Sequence, residues 1–338
     1  MAAIRAIRAD VFSDPTMWSS GTVPTAADDV NTNNFLVTMN VDATVLSLRN
    51  DALSGATQGG SFIFSVSGIT VTVVGPTPFS TVFTPSLLVI SHTGGTINLI
   101  TSSSIGSVGN TGIGLIRQTG TGTFILTTPS INPLSTGVCI VRSGNGPLIV
   151  NSFITPVAVG AVVTTGIVNS GAGPITINGG VAGGSTTAAS QAITNTNVSA
   201  TITVNGTVIG GANLAGNYAI NSTGPINING SATCNGTGNA VLANGGISIS
   251  GTVTCNGGGT VVAVTNASTV TVTGNIVYGN AGTGFGIDAS TNAAASVTLA
   301  GNFTNRAGRQ VIFCRLVYLS NTVTNQLTFN TPGGASRT

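Results

Sequence analysis

The sequence contains no lysine and no glutamate, and only 16 of its 338 residues are charged: nine arginines and seven aspartates. That is 5%, whereas a typical soluble domain has about 25%. Lysine and glutamate are among the better helix formers, so their absence beside 48 glycines argues against a helical protein. A net charge of +2 lacks the basic footprint of a nucleic-acid-binding protein. A hydrophobic content of 41% excludes a charge-driven disordered chain.

No apolar run approaches the ~20 residues that a transmembrane helix needs, because Gly, Thr or Pro interrupts each of the longer ones. Residues 1–10 hold two arginines but no apolar segment behind them of the kind found in a secretion signal. We therefore expect a chain that is neither inserted into a membrane nor exported by the general secretion route. We expect such a chain to be made and assembled in the cytoplasm, with lysis as one way out.

The spacing of the cysteines indicates neither a zinc site nor a disulfide framework, because no CxxC pair occurs. The four cysteines are Cys139, Cys234, Cys255 and Cys314. We expect small buried thiols in a reduced protein, with no metal and no cofactor.

A short mark recurs through most of the chain: two apolar residues separated by one residue, then one more residue and often a glycine. Clear copies are Ile175-Thr-Ile177-Asn-Gly179, Ile202-Thr-Val204-Asn-Gly206 and Val270-Thr-Val272-Thr-Gly274. Weaker copies extend the mark back to Leu46-Ser-Leu48, with a mean spacing of roughly 25 residues. Alternating β-branched residues predict strands, and the Gly, Asn and Ser between them predict turns.

Many intervals hold a second strand before the mark, and several hold a third strand after it. Three short strands per turn of roughly 25 residues predict an all-β protein, a parallel β-helix or β-solenoid of about 11 turns in which stacked turns share one core. A β-sandwich or barrel of many short strands is the alternative. The regular period favours the solenoid.

Charge divides the chain into a body and two ends, since nine of the 16 charged residues lie before residue 52. An open β-helix exposes unpaired strand edges at both ends. We therefore expect residues 1–45 to form an N-terminal cap or attachment segment, residues 46–302 the β-helix body, and residues 303–338 a C-terminal cap or docking segment. The C-terminal docking candidates are Arg306, Arg309 and Arg315. Each end is interpreted either as a pure cap or as a cap that also docks or oligomerises.

The N-terminal segment holds the single tryptophan of the chain, Trp18, and an acidic pair, Asp28 and Asp29. Taken locally, the Trp18 ring covers the open core of the first turn, and the acidic pair caps a turn before a strand at Phe35. These three residues are the cap or docking candidates of this end.

The run Trp18-x-x-Gly21-x-x-Pro24-x-x-x-Asp28-Asp29-Val30 lies within the segment Phe12–Asn50. This segment resembles the opening of bacteriophage β-helical virion appendage proteins of the tail-fibre, tailspike and head-decoration type. The resemblance covers about 40 of the 338 residues. It implies a structural protein of the virion exterior, a homotrimer that contacts other virion proteins and a host surface glycan. Large bacterial surface adhesins open in a similar way, so a bacterial surface adhesin or filament subunit is an alternative.

The distribution of carboxylates argues against catalysis. Glycosidases usually need two positioned carboxylates, and beyond residue 51 the chain has only Asp288. A Ca²⁺ site of the lyase type also needs several carboxylates. We therefore interpret Asp288 as a turn or strand-end residue and the protein as a non-enzyme, with a polysaccharide-degrading tailspike as the enzymatic alternative.

The one histidine, His92, follows the strand ending at Ile90, and no Ser-His-Asp set is indicated around it. Arg117 and Arg142 occupy a similar point of their own turns. One hypothesis places His92, Arg117 and Arg142 along one edge, as a weak patch for an anionic sugar or a neighbouring subunit. The other interprets them as solvated turn residues or as partners in hydrogen bonds between turns.

Overall fold

The structure is a computed structural model. It describes residues 3–49, 60–76, 79–80, 90–102, 105–107, 116–133, 138–154, 165–183, 191–211, 217–266, 269–278, 285–289, 296–304, 312–313, 316–319 and 329–330. The chain divides into two compact units, residues 1–174 and 175–338. That division falls inside the segment 46–302 predicted as the body.

Alternation of side chains creates the strands. In Ile175–Ile177 the two isoleucines are buried and Thr176 between them is half-buried, and Ile202–Val204 has the same pattern. These two strands pair in parallel, with Ile175 opposite Ile202 and Ile177 opposite Val204. Like residues therefore stack on like residues from turn to turn. The predicted fold class is confirmed: the protein is an all-β parallel β-solenoid.

The first unit contains a small N-terminal sheet, three ladders of parallel strands and one short 3-10 helix, Pro15–Met17. The N-terminal sheet comprises Ile4–Arg5, Asp29–Asn31, Ser47–Arg49 and Phe79–Ser80. Ladder 1 comprises Asp10–Val11, Leu36–Met39, Ser61–Phe64, Ile90–His92, Ile116–Gln118, Val138–Arg142 and Thr165–Asn169. Ladder 2 comprises Ala43–Val45, Ile69–Val73, Ile97–Thr101, Phe124–Thr127 and Leu148–Val150. Ladder 3 comprises Ile105–Ser107, Ser130–Pro133 and Phe153–Ile154.

The second unit has its own three ladders, numbered in the same way. Its ladder 1 comprises Ile193–Asn195, Ile220–Ser222, Val241–Ala243, Val262–Val264, Ile287–Asp288, Ile312–Phe313 and Phe329–Asn330. Its ladder 2 comprises Ile175–Ile177, Ile202–Val204, Ile226–Ile228, Ile247–Ile249, Thr269–Val272, Ser296–Leu299 and Leu316–Leu319. Its ladder 3 comprises Gly180–Ala182, Thr207–Gly210, Ser231–Cys234, Thr252–Cys255, Asn275–Tyr278 and Asn302–Thr304.

Ladder 2 has five strands in the first unit and seven in the second, one per turn, where about 11 turns were predicted. The predicted copy of the mark at Leu46-Ser-Leu48 is wrong, because Leu48 lies in the N-terminal sheet opposite Val30. The ladder 2 strand of that turn is Ala43–Val45, with Ala43 opposite Val71. Ladders 1 and 2 therefore begin inside the segment 1–45 that was predicted as a separate cap.

The core of each unit consists of inward rows of branched side chains. In the second unit Ile175, Ile202, Ile226, Ile247 and Val270 follow one another along ladder 2 and are at most 3% exposed. Full burial of one such side chain contributes roughly 1.5–3 kcal/mol. Stacking of turns thus supplies the core that one short turn cannot form alone. Among the described residues, no helix is long and apolar enough to cross a bilayer.

Candidate functional site

Four polar side chains lie inside the first unit, one at the end of each of four successive ladder 1 strands. We call His92, Gln118, Arg142 and Asn169 the interior donor row. In register His92 lies opposite Gln118, Gln118 opposite Arg142, and Arg142 opposite Asn169. Each follows an inward isoleucine by two residues, so the period of the strand directs it into the core. All four are 0% exposed.

Arg142 is the centre of the interior donor row. Its Nε donates to Gln118 Oε1 at 2.8 Å, and its Nη1 donates to Asn169 Oδ1 at 2.6 Å. Its Nη2 donates to the carbonyl oxygen of Gly146 in the following turn. Burial lowers the pKa of the Arg142 guanidinium to about 10. Arg142 is therefore a buried cation held by neutral dipoles, because the ion pairs formed by the described residues involve only Arg8 and Arg49.

His92 is buried at one end of the row and stacks on Phe124, with ring centroids 5.3 Å apart and 16° between planes. Its Nε2 lies 2.9 Å from the Gly95 carbonyl oxygen, which assigns the proton to Nε2. Its Nδ1 has no hydrogen-bond partner among the described residues. Burial lowers the pKa of His92, so the ring is neutral near pH 7.

The predicted patch of His92, Arg117 and Arg142 is wrong. Arg117 lies one residue before the inward position, opposite Ser91 on one side and Val141 on the other. Its side chain is exposed, whereas those of His92 and Arg142 are buried. Because successive side chains of a strand point to opposite faces, an offset of one residue moves a group from the interior to the surface.

The interior donor row satisfies carbonyl groups that turn away from water. Gln118 Nε2 donates to Pro147 O at 3.0 Å, and Asn169 Nδ2 donates to Gly171 O at 2.9 Å. An unsatisfied buried carbonyl costs about 1–3 kcal/mol, so each donor stabilises the turn beside its strand. The second unit uses the same position, since Asn195 Nδ2 donates to Ala200 O at 3.2 Å and Ser222 Oγ to Gly224 O at 3.0 Å. The arrangement is suited to hydrogen bonding between turns rather than to acid–base chemistry.

Gln118 and Asn169 were not among the predicted site residues. Their signal is present in the repeat, as a polar residue two positions after the inward isoleucine in Ile90-Ser-His92, Ile116-Arg-Gln118, Ile140-Val-Arg142 and Ile167-Val-Asn169. The prediction selected residues by their charge and not by their position in the strand, so it named Arg117 instead of Gln118. Strict period-2 counting from the isoleucine finds all four residues.

Trp18 is buried in the N-terminal segment, at 1% exposure. Its ring contacts Phe12 edge to face at 5.4 Å, and its Nε1 donates to Phe12 O at 2.9 Å. Its backbone forms an antiparallel bridge with Ala6. The 3-10 helix Pro15–Met17 precedes it, with Asp14 accepting from Thr16 N at 2.8 Å. Trp18 thus packs against other residues of the N-terminal segment. Its docking role stays a prediction.

The acidic pair is split between two local roles. Asp28 accepts hydrogen bonds from Thr25 N and Thr25 Oγ1, both at 2.7 Å, and so caps the turn before the strand Asp29–Asn31. Asp29 lies within that strand, accepts a hydrogen bond from Ser47 Oγ and has Arg49 Nε at 3.7 Å. The predicted cap of a strand at Phe35 is therefore wrong, because the strand that follows Asp28 directly is the one that contains Asp29. Both carboxylates are bound within the chain.

Asp288 lies at the end of the ladder 1 strand Ile287–Asp288 and is half-buried. Its register neighbours are Ala263 and Phe313, so no carboxylate stands opposite it on either adjacent strand. A surface depression of about 270 Å³ occurs in another part of the chain. It is lined by Asp42, Ala43, Thr44, Thr70 and Thr72. The Asp42 carboxylate there accepts a hydrogen bond from Thr70 N at 2.8 Å.

The remaining docking candidates, Arg306, Arg309 and Arg315, lie outside the described residues. Within the part of the chain that the structure describes, no three His, Cys or Asp side chains are grouped so as to hold a metal ion together. The chain matches no protein-family model, no curated protein and no solved structure.

Proposed function

We propose that the chain is a non-enzymatic structural protein of a bacteriophage particle, a β-helical fibre, spike or capsid-surface decoration on the virion exterior. In this proposal it serves particle architecture and attachment to the host surface, and it assembles as a homotrimer. The resemblance of the segment Phe12–Asn50 to virion appendage proteins supports the origin.

The register neighbours of Asp288, neither of which is a carboxylate, are the observation that carries the non-enzymatic part. Hydrolysis of a glycosidic bond usually needs two carboxylates about 5–10 Å apart. Successive strands of a ladder are ~4.8 Å apart, so a second acid would have to lie one or two strands away on the same face. The neighbouring positions hold Ala263 and Phe313 instead. The described aspartates other than Asp288 lie at residues 10–42.

The outer face of ladder 2 in the second unit supports assembly with other chains. It presents uncharged polar residues, and Thr176, Thr203 and Asn227 follow one another in register. Beside them the exposed Asn205 amide donates to Asn178 Oδ1 at 2.8 Å and accepts from Asn229 Nδ2 at 2.9 Å. A face without charge has few charged groups to desolvate when another chain packs on it.

The native mass of the purified protein tests the homotrimer. We expect light scattering to give three times the mass of one chain, 33.2 kDa, and a band of the same size in SDS without boiling. A monomer in both measurements would contradict the homotrimer. Gold-labelled antibody against the chain, applied to virus particles purified from the source material, tests the location. We expect labelled particle exteriors, and particles that contain no such chain would overturn the virion assignment.

The alternatives give different results in two further measurements. A polysaccharide-degrading tailspike would release reducing sugar from host capsule or lipopolysaccharide, and an Asp288→Asn variant would lose that activity. We expect no release above the rate of this variant. A bacterial surface adhesin or filament subunit would be labelled by the same antibody on cells that are free of virus.

A further inference from the structure

The three connections within a turn of the second unit differ in length. From ladder 2 to ladder 3 the chain takes two residues in each of six turns, Asn205-Gly206 between Ile202–Val204 and Thr207–Gly210 being one example. From ladder 1 to ladder 2 it takes two to seven residues, and from ladder 3 to ladder 1 six to ten, the longest being residues 183–192. Ladder 1 is therefore flanked by connections of variable length on both sides, whereas the corner between ladders 2 and 3 keeps one length.

That corner consists of stacked glycines with a row of polar side chains beside them. A Cβ at Gly206 or Gly230 would meet the carbonyl oxygen of the glycine one turn earlier, so successive backbones are in direct contact. Beside the glycines, Asn229 Nδ2 donates to Asn205 Oδ1 at 2.9 Å and Ser250 Oγ donates to Asn229 Oδ1 at 3.0 Å. Because these groups are partly satisfied within the chain, burying them costs less than burying free amides.

The outer face of ladder 3 has the same character. Its first outer row contains Thr207, Ser231 and Thr252 in register. Ser231 Oγ donates to Thr207 Oγ1 at 3.2 Å, and Asn275 Nδ2 donates to Thr252 Oγ1 at 3.3 Å. The second outer row comprises Ile209, Thr233, Thr254 and Val277. Ladders 2 and 3 thus present uncharged faces on the two sides of the corner, with polar groups that pair within the chain.

Charge distinguishes ladder 1 from these two faces. Asp288 is the only charged residue between residues 175 and 304. Because Ile287 before it is buried, Asp288 lies on the outer face of ladder 1. Burial of a charge in an interface costs free energy unless a partner compensates it. Ladder 1 is therefore the face of the second unit that is best left in water.

The size and the repeat of the two uncharged faces fit a second copy of the chain. Six strands at ~4.8 Å, each of three or four residues at ~3.3 Å, make a face of about 29 Å by about 10–13 Å. Two such faces offer roughly 600–750 Å² per chain, near the ~800 Å² that each partner contributes to a standard interface. Each turn supplies one strand to each ladder, so both faces have the same repeat. A second copy laid parallel matches that repeat strand for strand.

We propose that ladder 2 of one chain packs on ladder 3 of the next, with the corner between them turned towards the axis of the homotrimer and ladder 1 in water. A closed ring of three chains needs two different contact surfaces on each chain. The two faces beside the corner supply them. This inference rests on the homotrimer of the proposed function, and it names the surfaces that hold the three chains together. Because every interface uses both faces, a charge placed on either face affects all three interfaces.

The turn formed by residues 220–234 offers a matched set of substitutions, one on each face. Asn227→Arg places a charge on ladder 2, Thr233→Arg on ladder 3 and Asn221→Arg on ladder 1, and all three residues are half-buried. We expect light scattering to give the mass of one chain for the first two variants. The wild type and the control Asn221→Arg should both give the mass of three chains. Circular dichroism checks that each variant is folded.

Thiol labelling of the intact assembly tests the same faces without disrupting them. Cysteine replaces the same three residues, and the described native cysteines are buried and react slowly. We expect iodoacetamide to label Asn221→Cys about tenfold faster than Asn227→Cys and Thr233→Cys.

The outcomes separate this inference from the function on which it rests. A monomeric wild type would overturn the homotrimer, and the assignment of faces with it. A wild-type trimer that survives both Asn227→Arg and Thr233→Arg, or that only Asn221→Arg disrupts, would overturn the assignment and leave the homotrimer standing. Equal labelling of the three cysteine variants within a trimer would do the same.

Discussion

The two units fill the same position of their turns with different chemistry. In the first unit this position holds the apolar Met39 and Phe64 and then, in four successive strands, large polar side chains such as Gln118 and Arg142, with which a charge is buried. In the second unit that position holds Asn195 and Ser222 and then the apolar Ala243 and Val264, as the register of ladder 1 shows. The period of the strand demands only that this side chain point inwards. Its identity differs between strands: Arg142 donates to Gly146 O in the turn that follows it, whereas Ala243 and Val264 carry no side-chain donor.

The turns of both units also share a feature that does not depend on side chains. Where glycines stack, a Cβ built on Gly122 in the first unit or on Gly206 in the second would lie inside the contact distance of a backbone carbonyl, that of Gly95 or Gly179. The comparison therefore separates a common requirement, close backbone stacking, from an optional one, the interior donor.

The largest effect is expected from alanine at the stacked glycines. Gly122→Ala and Gly206→Ala should each lower the free energy of unfolding by about 4 kcal/mol or more, because backbone rather than a movable side chain blocks the new methyl group. The control Gly246→Ala should change little, since the nearest atom to its Cβ is 3.7 Å away. Thermal unfolding followed by circular dichroism measures all three. If Gly206→Ala and Gly246→Ala changed the free energy of unfolding equally little, close backbone stacking would not be a requirement that the two units share.

Arg142→Ala is expected to cost about 2–4 kcal/mol. It removes the Arg142 donor from Gln118 Oε1, Asn169 Oδ1 and Gly146 O. The last two keep a weaker donor each, Gly171 N at 3.1 Å and Gln118 Nε2 at 3.4 Å, and release of the buried charge offsets a further part of the loss. Arg117→Ala is the matched control, exposed and one turn away, and should change the free energy by less than about 0.5 kcal/mol. Trp18 is the single tryptophan, so its fluorescence in urea reports unfolding of the first unit. A neutral Arg142→Ala would mean that this interior donor is dispensable in the first unit.

The effect of pH on the stability of the first unit should be smaller than the effect of Arg142→Ala. Burial lowers the pKa of His92 in the folded chain, so the unfolded chain binds more protons once the pH falls through about 6.5. This part of the stability is complete above that pH and is lost below it, with a slope of at most ~1.4 kcal/mol per pH unit. The urea midpoint of Trp18 fluorescence at pH 7.5 and at pH 5.5 measures the loss.

His92→Phe provides the comparison for that measurement, because Phe64 occupies the same row one strand earlier. The variant should have a flatter profile between the two pH values, where Asp14 stays ionised because its hydrogen bonds with Thr16 lower its pKa. Identical pH profiles for the wild type and His92→Phe would exclude His92 as the titrating group.

The smallest effect is expected on the outside of the second unit. Asn205→Ala removes two hydrogen bonds of an exposed amide row and should cost about 0.5 kcal/mol, a shift in Tm of about 1–2 °C. Differential scanning calorimetry measures it. A loss as large as that of Arg142→Ala would show that the outer rows, and not the interior, distinguish the two units.

Much of the fold could be predicted from the repeat alone. The marks at Ile175, Ile202, Ile226, Ile247, Val270 and Val297 all lie in one ladder of the second unit. The prediction failed at Leu46-Ser-Leu48, where no glycine follows the two apolar residues. Leu48 belongs to the N-terminal sheet. The alternation of apolar residues shows that a strand forms, but it does not show which neighbouring strand pairs with it.

The candidate site was predicted less well, for a related reason. Choosing His92, Arg117 and Arg142 by charge ignored the side of the strand on which each residue lies. Charge is a property of one residue, but its place inside or outside depends on its phase relative to the inward isoleucine. Cys234 and Cys255 were correctly predicted as buried thiols. Their alignment opposite each other in ladder 3 was not predicted, because 20 residues of turn and strand separate them in sequence.

The sequence by itself determined the class of fold, since an apolar mark repeated at each turn can bury its side chains only by stacking turns. It also determined that the interior would be mostly branched aliphatic and that charge would collect near the N-terminus. Only the tertiary structure decided which polar groups face inwards, which carbonyls they satisfy and which two thiols meet. Those outcomes depend on the register between strands far apart in the chain, and register follows from the packing of all turns together.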